Sequence, residues 1–71
     1  MREWLLNARK ESGKTQLEVA RELDITEAYY SFIENGQRQK KMEITLATKL
    51  SAIFGIPLQR IAELEKSEGR M

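Results

Sequence analysis

The stretch that decides the fold is TQLEVARELDITEAYYSFIENGQR, residues 15–38. It holds two helix starts. Thr15 is followed three residues later by Glu18, the pairing of a capping box. Thr26 is followed at once by Glu27, a carboxylate suited to the positive end of a helix dipole. Val19, Ala20 and Leu23 form an inward stripe after the first start. Tyr30 and Ile33 form another after the second, and Gly36 ends that helix behind Asn35. Asp24 and Ile25 leave almost no room between the two. Two such short helices, so tightly linked, cannot lie as a long antiparallel hairpin. They cross steeply as a helix-turn-helix over residues 15–36, and the second projects from the domain.

Working outward, Trp4, Leu5 and Ala8 place a first helix from about Arg2 to Ser12, with Gly13 as its left-handed stop. After a polar loop, Ile44, Ala47, Leu50, Ser51 and Phe54 make one face of a fourth helix, closed by Gly55. Pro57 suits the first position of a fifth, with Ile61 and Leu64 as its apolar contacts and Leu58 beside them. Strand signals are weak throughout. The expectation is an all-α, compact five-helix domain over residues 1–66, followed by a frayed polar tail at 67–71.

Composition narrows the function. The chain has 71 residues, no cysteine and no histidine. That argues against a thiolate metal site, a disulfide framework and a Ser-His hydrolase, and no catalytic cluster appears. No cofactor or metal is implied. No apolar run approaches the roughly 20 residues of a membrane span, so the expected compartment is the cytoplasm. Net charge is +1, but its distribution is uneven: Arg38, Lys40 and Lys41 form a positive run with no acid between them.

That run follows the projecting helix directly. With Tyr30 and Ile33 facing inward, Tyr29 is rotated about 100° away, onto or beside the face that carries Glu27, Ala28 and Phe32. Exposed aromatics there suit a surface that meets base edges, thymine methyls or sugars. The alternative is that Phe32 folds back onto the core or covers the basic loop.

Residues 15–38 resemble the helix-turn-helix of the phage repressor and Cro family, also called the Xre family. The shared features are Thr15-Gln16, Ala20, the apolar Ile25 after the turn, and the S-x-I-E-N-G pattern at Ser31–Gly36. G-I-P-L at residues 55–58 agrees, and the resemblance spans residues 2–64. It implies a lambda-repressor-like fold and a double-stranded DNA partner. Glu27, Ala28 and Phe32 then occupy base-reading positions, with Thr26 and Tyr29 beside them. Glu27 would accept from cytosine N4, or else serve as a first-turn charge. Thr15 and Gln16 would meet phosphate at a helix start, where Gln16 is otherwise a solvated polar residue. Asn35 would touch the DNA backbone, cap its helix, or both. Arg38, Lys40 and Lys41 would follow the strand backbone, or else form a solvated loop. Arg9 and Glu34 match positions that form a structural ion pair in related domains. Two departures stand out: Lys14 where relatives carry an apolar residue, and Asp24 where they carry glycine.

Such a helix covers few base pairs, so a symmetric weak dimer that tightens on DNA is expected. Leu46 and Ile53 form a stripe beside the core face of the fourth helix, and Leu58 and Ile61 are further candidates; core filling is the alternative for each. The expected function is a sequence-specific regulator, a repressor acting by operator occupancy. The competing class is a protein-interaction module of antitoxin-like or anti-repressor-like type.

Overall fold

Each helix begins or ends on a residue chosen for that purpose. The computed structural model describes residues 1–68 and contains five helices: α1 Glu3–Glu11, α2 Gln16–Leu23, α3 Glu27–Glu34, α4 Ile44–Phe54 and α5 Leu58–Glu68. No strand occurs among the described residues. Thr15 and Glu18 form the reciprocal capping box, with Glu18 N–H donating to Thr15 Oγ1 at 3.1 Å and Thr15 N–H to Glu18 Oε1 at 2.8 Å. Thr26 Oγ1 accepts from Tyr29 N–H at 3.1 Å. Asp24 takes the left-handed conformation (φ 61°) that the turn requires, and Ile25 N–H then reaches back to the Ala20 carbonyl. Gly36 (φ 77°) does the same after α3, letting Gln37 N–H donate to the Phe32 carbonyl at 2.9 Å.

The inward stripes meet in one core of Trp4, Leu5, Val19, Ala20, Leu23, Tyr30, Ile33, Ala47, Leu50 and Ile61. α3 packs on α2 and α1, and α4 on α2 and α5. Full burial of a side chain such as Leu50 contributes about 1.5–3 kcal/mol. The core therefore fixes the inner face of α3 and leaves its outer face to solvent.

Three expectations need correction. Ile61 is 1% exposed, so the core-filling alternative holds for it in place of a free dimer contact. Ile44, placed on the core face by periodicity, is 68% exposed because the apolar stripe of α4 meets the core only from Leu46 and Ala47 onward. Ser67 and Glu68 belong to α5 instead of a frayed tail: the Glu68 carboxylate accepts from Trp4 N–H at 3.0 Å, which ties that turn to the start of α1. The rest of the expected tail, 69–71, lies outside the described residues. Arg2 and Ser12 flank α1 as its caps, within one residue of the expected bounds.

Candidate nucleic-acid interface

The outer face of α3 presents Glu27 and Ala28, with Thr26 exposed at its cap. Phe32 is 40% exposed, so it does not fold into the core. Instead the Arg38 guanidinium lies 5.5 Å from its ring centroid, a cation–π contact that joins the loop to the helix. Arg38, Lys40 and Lys41 are all exposed.

Tyr29 departs from this group. It is half-buried against the core, and its hydroxyl accepts from Gln39 Nε2 at 3.0 Å. Gln39 adopts a left-handed φ of 56° and also binds Glu43 twice, through Nε2 to its carboxylate and through Oε1 from its N–H. Tyr29 thus acts as a post for the loop instead of standing free beside Phe32.

The expected ion pair is present. Arg9 Nε meets Glu34 Oε2 at 2.6 Å, and Glu34 is 3% exposed. Burial alone would raise the Glu34 carboxyl pKa. Hydrogen bonds from Arg9 and Gln16, with the Tyr30 hydroxyl alongside, outweigh it and hold the group below the usual carboxylate range. The hydrogen bond to Glu34 likewise raises Arg9. Among the described residues the buried Tyr30 hydroxyl makes no well-formed hydrogen bond, and burial pushes its phenol pKa well above the ordinary value.

Gln16 is turned inward. Its Nε2 donates to Glu34 Oε1 at 3.1 Å, so it is a third member of the ion-pair cluster instead of a free amide. Thr15 is exposed, with its oxygen already accepting the capping bond. Asn35 is exposed at the C-cap of α3. Lys14 finds Glu22 at 2.6 Å, a surface pair that adds at most about 1 kcal/mol.

Sequence reasoning missed Arg2 and Glu65. Arg2 is 6% exposed, and its Nε donates to Glu65 Oε2 at 2.8 Å. Glu65 Oε2 also accepts from Trp4 Nε1 at 2.7 Å. The partners lie 63 residues apart, beyond any local spacing rule. The one available signal was the pair of acids, Glu65 and Glu68, beside the Ile61–Leu64 stripe of the fifth helix.

Among the dimer candidates, Leu46 and Ile53 are half-buried against the core and Leu58 is 36% exposed. The more open apolar surface is a cleft of about 170 Å³ between α4 and α5, where Met42, Ile44, Leu58 and Ala62 line the walls. No helix among the described residues is long and apolar enough to cross a membrane.

Comparison with known proteins agrees with this geometry. A helix-turn-helix family model matches residues 5–61. A relative from Bacillus subtilis (strain 168), described as the uncharacterized HTH-type transcriptional regulator YqaF, is 47% identical over 55 residues, covering 78% of this chain and 70% of that protein. No solved structure gives a significant match. The chain belongs to the phage-repressor-like, or Xre, helix-turn-helix family, a non-enzymatic class of DNA-binding transcription regulators.

Proposed function

We propose that the chain is a sequence-specific repressor that lays α3 in the major groove and blocks polymerase by occupying its operator. The observation that carries this reading is the exposure of Glu27, Ala28 and Phe32 on one face, with Arg38 stacked on Phe32 and Lys40 and Lys41 following. α3 itself holds no Lys or Arg. Affinity therefore comes from the loop cations on phosphate, and specificity from a sparse set of contacts. Ala28 and Phe32 offer apolar contact to thymine methyls, and Glu27 accepts from cytosine N4. Thr26 flanks these contacts, and Tyr29 supports the loop beside them. Thr15, Gln16 and Asn35 complete the phosphate line, Gln16 by releasing Glu34. The Arg38 guanidinium beside the still-exposed Phe32 ring favours DNA over a protein partner, because it sets a positive charge next to the apolar contact, as a polyanion requires.

The chain pairs as a weak homodimer on symmetric half-sites. Ile44 and Leu58 supply the most exposed apolar contact, with Leu46 and Ile53 at its edge. Ile44→Glu is expected to keep the fold and to weaken operator binding and self-association together. Unchanged dimerisation would remove this surface from the reading.

Selection of bound fragments from random DNA at moderate salt tests the function. Binding is expected to fall steeply with salt, by a log–log slope of about −0.9 per phosphate neutralised. Lys40→Ala with Lys41→Ala should weaken all sequences alike, and Phe32→Ala should alter the preferred sequence. Salt-insensitive behaviour, or no effect from either change, would move the function to the protein-interaction class.

A further inference from the structure

We infer that Arg2 is a positioning residue for the basic loop: its buried guanidinium holds the backbone at residues 38 and 39 in the shape that sets Arg38, Lys40 and Lys41 beside α3. The functional half of this inference rests on the proposed DNA-binding face; the geometric half stands without it.

A guanidinium carries five N–H donors in a fixed planar fork. In Arg2 all five are engaged. Nε and one Nη2 hydrogen clasp Glu65 on α5, at 2.8 and 3.0 Å. Nη1 donates to the Ile33 carbonyl at 2.8 Å and to the Arg38 carbonyl at 3.2 Å. The remaining Nη2 donor meets the Gln39 carbonyl. The main-chain N–H of Arg2 also donates to the Glu34 carbonyl, at 2.7 Å. One residue therefore grips the last turn of α3 and the loop that follows it.

The loop has cause to open without that grip. Gln39 sits in a left-handed conformation that is strained for a non-glycine residue. Three cations within four positions repel one another. Arg38 and Lys40 flank the strained residue, so a relaxation of Gln39 swings both. Glu65 has a second part in this arrangement. It neutralises the buried guanidinium, so Arg2 does not add to the repulsion above it. Lysine cannot replace the fork, having three donors on a point charge and no planar geometry.

Limited trypsin digestion separates loop order from global stability, since the loop carries its own cleavage sites at Arg38, Lys40 and Lys41. In Arg2→Gln, held well below its melting transition, cleavage in the loop is expected to rise about tenfold. Cleavage after Arg21 in α2 should stay at the parent rate. Arg2→Lys should resemble Arg2→Gln instead of the parent. On DNA, both should lose about tenfold in affinity for all sequences alike, with a salt slope shallower by about one phosphate. If Arg2→Gln does not fold, Glu65→Gln keeps an acceptor for Trp4 and should still speed loop cleavage severalfold. Parent-like loop cleavage in the folded variants overturns the inference, whatever DNA does. An opened loop with parental DNA affinity and slope overturns its functional half. A parent chain that binds no DNA sinks the repressor reading alone, and the protease comparison still decides the geometry.

Discussion

The two ends of α3 are built on opposite rules. At its start, Glu27 and Ala28 are exposed, and the backbone is held by the Thr26 hydroxyl. At its finish, Ile33 and Glu34 are buried and two arginines converge on them. Arg9 takes the Glu34 carboxylate, and Arg2 takes the Ile33 carbonyl. The difference teaches how a small domain can project a reading surface. One end is fastened by core and charge so that the other is free of obligations to its own fold.

The fastened end should break hardest. Ile33→Ala removes a fully buried side chain from the centre of the core. It is expected to cost about 4 kcal/mol, read by urea denaturation. A loss under about 1 kcal/mol would mean the core does not close around α3. Glu34→Ala comes next. It strands Arg9 and should cost about 3 kcal/mol. The same pair sets an acid limit. The folded-state pKa of Glu34 lies below its unfolded value, about 4.3, so its contribution is whole above that pH. It is lost as pH falls through the lower folded-state pKa. The parent's melting temperature should therefore drop more steeply on acidification than that of Glu34→Gln. Parallel curves would show that the carboxylate is not ionically engaged.

Much of this architecture was legible because it is local. Thr15 with Glu18, Thr26 and Gly36 each act within a few residues, so spacing alone placed them, while Asp24 stood out through the resemblance as a replacement for glycine. The Arg9–Glu34 pair came from family resemblance, since nothing in periodicity links them. The anchors that shape the site were hidden for the same physical reason. Arg2 and Glu65, Trp4 and Glu68, and Tyr29 and Gln39 meet because helices pack, and no local rule carries that information. Helical periodicity also misled at the ends of elements. Ile44 follows the stripe of α4 but lies beyond the core that the stripe faces, whereas Ile61 lies directly over it.

Moving toward the free end, effects should shrink. Thr26→Ala removes the cap hydrogen bond to Tyr29 N–H, for a loss of about 1 kcal/mol in urea denaturation. An equal loss from Thr26→Ser would point to the methyl instead of the hydroxyl, and would mean the start of α3 is packed more than it is capped.

Glu27 gives the smallest structural effect and the sharpest functional one. It is exposed in the first turn of α3, and no side-chain bond joins it to another of the described residues. Glu27→Gln should leave the melting curve close to the parent's. On DNA the change is one of base chemistry. A carboxylate can only accept, which suits cytosine N4, whereas an amide both donates and accepts and so matches the N6/N7 edge of adenine. Fragment selection with the variant is expected to switch one position of the preferred site from C·G to A·T, by about tenfold. A uniform gain in affinity across all sequences would instead show that the charge merely repelled phosphate. In that case the free end of α3 reads through Ala28 and Phe32 alone.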